Sequence, residues 1–301
     1  MTNEPRQHHT TPAAYLRSFC MPDSDKLCWL DIRTRKLHEQ SPENVIRCRD
    51  YYRQEHTPEG VDQFCLEKKQ SEFQERHIPR WIHQLIHDAA SFTQEDMLQF
   101  IHHIEYQHIR VPAQHQRASE KIKRIAENMH IDLPDLPSGP VKDHFKVDIK
   151  DSFRFRYMHQ MLSSGIIRNC LCRMDWDVCK VSDGSHFVTS DNPVIIFNPE
   201  VLHSNEANIE QVGSILIYPL TPSWCLHLSH PENAHKPKPK PLQLIPTEPS
   251  RSDQMMISHK IIPPERCHFF NMAITLAATR VVVADDRTIL ENIRKSLNRE
   301  H

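Results

Sequence analysis

The chain has 301 residues, a formal net charge of -2 and 25% charged residues, so no global electrostatic bias draws it to a polyanion. A nucleic-acid partner would need a local basic patch. Only 5 glycines occur, at Gly60, Gly139, Gly165, Gly184 and Gly213. P-loops, dinucleotide fingerprints and Gly-x-Ser-x-Gly elbows all need glycines close together, so these three chemistries are excluded.

The length allows a sizeable core, and 38% hydrophobic residues, with 4 Trp and 12 Phe, suffice to fill one. No apolar run approaches the roughly 18 residues that would span a bilayer, and the polar stretch Met1 to His9 cannot serve as a signal-peptide core. Nine cysteines, Cys20, Cys28, Cys48, Cys65, Cys170, Cys172, Cys179, Cys225 and Cys267, are scattered and odd in number. That usage suits reduced thiols and a cytoplasmic address with no membrane. The 22 histidines leave imidazole chemistry and metal binding open.

In chain order, Pro12 to Phe19 reads as a short helix with Pro12 in its first turn. Residues 27–40 read as a hairpin, and Asn44 to Tyr52 is ambiguous. Apolar residues at helical spacing run from Val61 to Ala89, where Pro79 is expected to break or kink the helix. Thr93 is expected to cap the next helix with Asp96 as its capping-box partner. The stripe Met97, Leu98, Ile101, Ile104 and Val111 follows, interrupted by Pro112. Lys121 to Met129 continues as helix, Leu133 to Pro140 is a loop, and Asp148 to Met174 is helical again.

The character then changes. Trp176 to Val181, His186 to Thr189, Val194 to Phe197, Ser214 to Tyr218 and Trp224 to Leu228 are short strands between turn residues. The Lys-Pro repeat at 236–241 is an extended loop. A helix follows Pro263-Pro264 to about Arg280, then a strand at Val281 to Val283 and a final helix from Thr288 to Leu297. The expected fold is α+β, a helical N-terminal and middle region packed with a small, largely antiparallel β-sheet from the C-terminal half, in one domain spanning 1–301.

The string Gln7-His8-His9-x-x-Pro12-x-x-Tyr15-Leu16-Arg17-x-Phe19 resembles the opening signature of a microbial family, domain of unknown function 4238 (DUF4238). Further matches follow in order: Asp50-Tyr51-Tyr52, Leu66-Glu67 with Glu72, Arg110-x-Pro112, Phe187 to Val194, Tyr218-Pro219-Leu220-Thr221-Pro222, and Asn271. The resemblance covers nearly the whole chain but implies no reaction. By analogy alone it suggests accessory proteins of bacteria and fungi and a role in defence against mobile elements.

Each motif has a functional and a structural reading. His8 and His9 are adjacent and cannot point the same way, so at most one faces a given pocket. His9 suits a general base or metal ligand at a helix N-terminus, where the dipole favours an anion; otherwise the pair caps that helix. Asp191 projects from a strand end as a ligand or acid/base carboxylate, or closes an Asx-type turn before Pro193. Glu72 follows Cys65 by seven residues and leans to a buried helix face, where Arg110 is its natural partner. Arg110 shares a face with His103 and Gln107. The His83 and His87 pair has zinc-helix spacing, but Gln84 replaces the general base of a metalloprotease, so a solvated face is expected. Cys170, Cys172 and Cys179 lack structural-zinc spacing, and His102-His103 reads as surface or pocket rim.

Two functions follow. In the first, a hydrolase or nuclease-like phosphodiesterase, His9 is base or ligand, Glu72 and Asp191 hold a divalent metal (Mg or Mn) together with His9, and Arg110 meets the phosphate of a nucleic acid or other anionic substrate. In the second, a non-catalytic binding or regulatory protein, the same residues form a structural brace.

Overall fold

The computed structural model of the chain describes residues 7–49, 51, 75–132, 138–149, 153–182, 184–199, 209–211, 213–230 and 257–298. Within them the fold is α+β, as expected, and no helix among the described residues is long and apolar enough to cross a membrane.

The β-structure differs from the single C-terminal sheet anticipated. Strands β7 (Asp175–Val181), β9 (Ile195–Phe197), β10 (Ile215–Thr221), β11 (Trp224–Ser229) and β12 (Ile257–Ile262) form a sheet in the order β12-β7-β11-β10-β9, antiparallel except where β12 runs parallel to β7. A second sheet, β3-β2-β13-β8, combines the N-terminal hairpin β2 (Leu27–Asp31) and β3 (Lys36–Gln40) with β13 (Val281–Ala284) and β8 (Thr189–Ser190). The hairpin is as expected; its partnership with the far end of the chain is not legible locally. β1 (Gln7–His9) pairs with β4 (Arg47–Arg49), which gives the ambiguous stretch a strand within its described residues, and the short β5 (His130–Ile131) pairs with β6 (Gly139–Pro140).

Proline and glycine set the helix boundaries. α1 (Ala13–Leu16) follows Pro12 and tightens into a 3-10 turn, Arg17–Phe19. Pro79 sits in the first turn of α2 (Ile78–His87), where its missing N–H costs nothing, in keeping with the expected break. α3 (Gln94–Ile109) opens on the expected Thr93–Asp96 capping box. α4 (Pro112–Asn128) restarts at Pro112, and Gly165, at φ 62°, separates α5 (Phe153–Ser164) from α6 (Ile166–Leu171). α7 (Pro264–Ala277) and α8 (Arg287–Leu297) close the fold. The stretches 61–74, 133–137 and 236–241 lie outside the described residues.

Two apolar clusters hold these layers. One joins α1, α2 and α3 to the five-stranded sheet around Trp81, Phe100 and Trp176; the other packs α7 and α8 against both sheets around Phe187, Phe270 and Leu290. Every described cysteine is free, in line with the reduced-thiol reading.

A fully buried carboxyl lies inside this frame. Glu105 on α3 is fully buried, 2.9 Å from Arg168 Nε on α6, while Arg168 Nη2 donates to the Leu162 carbonyl at 2.6 Å. Burial pushes the Glu105 carboxyl up from its ordinary 4.5 to about 7, with Arg168 opposing only in part. The folded state therefore holds this proton more tightly than the unfolded chain. The resulting stability is complete below about pH 4.5 and is lost as pH rises through about 7. Urea unfolding across that window is expected to show a fall on the order of 2–3 kcal/mol, which Glu105→Gln flattens; an unchanged profile in the variant would contradict this assignment.

Candidate functional site

The N-terminal string divides as its alternation requires. His8 is buried on one face of β1 and His9 is half-buried on the other. His9 lies on a strand directly opposite Arg47 of β4. It is not at a helix N-terminus, and α1 has no side-chain cap, so the expected dipole and capping roles both fall away.

Arg110, at the C-cap of α3, is 1% exposed. Its Nε donates to the Thr10 carbonyl at 2.8 Å and its Nη2 to the His9 carbonyl at 2.7 Å. Gln107 Nε2 adds a 3.0 Å bond to the same Thr10 carbonyl. The guanidinium thus joins α3 to the backbone just before Pro12. Glu75 Oε1 sits 3.4 Å from both Nη1 and Nη2, and the Tyr106 ring is 5.4 Å from the Arg110 carbon Cζ. The carboxylate partner expected at Glu72 is, among the described residues, Glu75; Glu72 itself lies outside them. The shared helix face of His103, Gln107 and Arg110 is as anticipated, and all three are buried. His103 is consequently not a rim residue: its Nε2 lies 3.2 Å from the Tyr218 hydroxyl, and burial lowers its pKa to about 3.

His9 keeps the chemistry of this corner. Its Nδ1 is buried and makes no hydrogen bond, as do Thr11 Oγ1 and Gln107 Oε1. Burial lowers the His9 pKa, and Arg47 and Arg110 lower it further against the opposing charges of Glu75 and Glu43. The ring is a neutral imidazole between a carboxylate and two guanidinium groups, able to accept or donate one proton. Nearby, the Tyr51 hydroxyl donates to the Arg110 carbonyl at 2.9 Å and also meets His115 Nδ1.

Asp191 is placed elsewhere. Its Oδ1 accepts from Thr279 N at 2.8 Å, and its Oδ2 from Arg280 N at 2.8 Å and Val281 N at 3.2 Å. Burial raises its pKa and these three donors oppose the rise. The carboxylate closes the turn that leads into β13, a distant segment and not the Asx turn of its own loop. That local turn belongs to Ser190, whose Oγ accepts from Asn192 N at 3.1 Å. His9 and Arg110 are therefore brought together, whereas Asp191 is bonded to the opposite end of the chain. Among the described residues, no group of three or more His, Cys, Asp or Glu side chains could hold a metal ion. His83 and His87 are exposed with ring centroids 5.0 Å apart, as expected of a solvated face.

Sequence reading missed Glu75, whose signal was its spacing of three from Glu72, about one helical turn. It also missed the hydroxyl of Tyr15, fully buried and 2.7 Å from both Thr189 Oγ1 and the Pro219 carbonyl.

Arg110→Lys keeps the charge but loses the planar fork, and is expected to lower stability by about 2–4 kcal/mol in urea unfolding. Asp191→Asn replaces one acceptor oxygen with a donor facing N–H groups, and a loss of about 1–3 kcal/mol is expected in the same assay. Wild-type stability in either variant would remove the corresponding brace.

Searches of curated proteins and of solved structures found no match. A family described as protein of unknown function (DUF4238) matches residues 7–288, nearly the whole chain. The signature string at His9 and the motifs carrying Arg110 and Asp191 all fall inside that match, and the chain belongs to the DUF4238 family.

Proposed function

We propose that the protein is a non-catalytic binding or regulatory protein whose polar cluster is a structural brace. The observation that carries this reading is the engagement of Arg110: its guanidinium is directed at the carbonyls of His9 and Thr10 and at Glu75, with 1% of the residue exposed. A phosphate could reach it only by displacing buried main-chain bonds, leaving those carbonyls unpaired. Asp191 is committed to main-chain donors in the same manner. The interleaving of N- and C-terminal strands in one sheet supports reading 1–301 as a single domain, and free cysteines suit a cytoplasmic setting.

A second reading is favoured by one specific observation, the half-buried neutral imidazole of His9 with its unpartnered Nδ1 beside Glu75. In that reading the protein is a hydrolase of the nuclease or phosphodiesterase type, acting on nucleic acid or another anionic substrate in defence against mobile elements. His9 is its base, and Glu72 supplies a carboxylate for Mg or Mn.

The two readings separate in one assay. Purified protein is incubated with bis(p-nitrophenyl) phosphate and with single-stranded DNA, with Mg or Mn, alongside His9→Ala. The binding reading predicts no turnover above buffer and identical traces for both proteins. Metal-dependent hydrolysis that drops at least about tenfold in His9→Ala, at unchanged melting temperature, would overturn it and establish the hydrolase.

A further inference from the structure

A cleft of about 230 Å³ lies between α7 and α8, apart from the His9 corner. It is lined by Ile289, Ile293 and Ser296 of α8, by Cys267 and Asn271 of α7, and by His186. At roughly 30 Å³ per water, the space equals about eight waters, enough for a short-chain molecule.

His186 is fixed there on every side. The Asp285 carboxylate, itself 8% exposed, lies 3.0 Å (Oδ1) and 2.9 Å (Oδ2) from His186 Nδ1. A carboxylate only accepts, so Nδ1 carries the hydrogen, and the lone pair of the uncharged tautomer sits at Nε2. Among the described residues Nε2 has no hydrogen-bond partner, and the side chain is 38% exposed. The backbone is held as firmly: Asn271 Nδ2 donates to the His186 carbonyl at 2.8 Å, and Asn271 Oδ1 accepts from Val188 N at 2.9 Å. This is the orientation device of a histidine with a positioning carboxylate, set at the mouth of a small apolar cleft.

Cys267 does not make the site a thiol enzyme. Its S–H is directed at the His186 carbonyl at 3.5 Å, and burial pushes the thiol up to about 12, leaving no thiolate at neutral pH. Two imidazoles line the cleft, His186 and the exposed His268, and of the two His186 is the one held by a carboxylate.

We propose that this cleft is a second, small-molecule site that takes a primary alcohol or primary amine with a short alkyl chain. The ligand's O–H or N–H donates to His186 Nε2, its chain lies on Ile289 and Ile293, and Asp285 acts as the positioning residue. The Asp285–His186 pair supplies acceptor character and no free cation, so it selects hydrogen-bond donors over anions.

The test follows the His186 imidazole by NMR at about pH 8.5, where an ordinary imidazole is neutral, with n-butanol and n-butylammonium chloride as probes. A saturable shift with at least one probe is expected, with Kd on the order of 10 mM for so few atoms; which probe saturates distinguishes the neutral alcohol from the charged amine. His186→Phe, which keeps a ring without nitrogen, and Ser296→Phe, which fills the cleft from α8, are each expected to abolish binding of that probe by thermal shift. Asp285→Asn is expected to weaken binding about fivefold and to mix the two imidazole tautomers in the 15N spectrum, a readout that a purely structural role would leave unchanged. No saturation by either probe up to about 200 mM, twentyfold above that Kd, or equal binding in His186→Phe, would overturn the proposal.

Discussion

The Tyr15 phenol is fully buried, and a hydroxyl taken out of water must find partners inside the protein. It finds Thr189 Oγ1 on β8 and the Pro219 carbonyl on β10, each at 2.7 Å. Those strands belong to different sheets. One side chain from a four-residue helix therefore sets the spacing of the two sheets, and its ring packs 5.2 Å from that of Tyr218. Because Tyr218 also meets His103 on α3, the same contact places the helical layer.

The Arg110 brace depends on this placement. With Tyr15 seated between the sheets, the backbone at His9 and Thr10 passes directly over the end of α3, and its carbonyls face a cation. Pairing a buried guanidinium with main-chain acceptors is costly to disturb in either direction, since both the charge and the carbonyls would be left unsatisfied. Its consequence is rigidity beside the half-buried imidazole of His9. A binding surface gains from such rigidity because less order is lost when a partner docks.

How much of this was legible follows from range. The Thr93–Asp96 capping box, the 27–40 hairpin and the helix restart at Pro112 are local, and their residues announced them. Pro79 was legible as a break or kink in the apolar periodicity, and because proline suits a first turn the described helix begins there. The edge strand β12 escaped because Ile257–Ile262 carries exposed Lys260 and Ile261 with no clean alternation. His9 and Arg110 were expected in one pocket with Glu72 and Asp191; the structure brings the first two together through the His9 carbonyl. The destination of Asp191 was not legible, because its donors at Thr279, Arg280 and Val281 lie about 90 residues away and leave no mark on its own motif.

The pairing of β2 with β13 matches Asp31 to Val281 and Cys28 to Ala284, a separation of roughly 250 residues. During synthesis the N-terminal hairpin emerges with one edge exposed and waits for nearly the whole chain before that edge is covered. Closing so long a loop is slow, because its entropy is lost before the contacts form. The bare edge of Leu27–Asp31 is meanwhile a template for pairing with another nascent chain. The adjoining β3, Lys36–Gln40, is largely polar and charged, which shields the other edge. The strand at Val281–Ala284 is what ends that exposure, so the hairpin's edge is covered only when the last tenth of the chain is available.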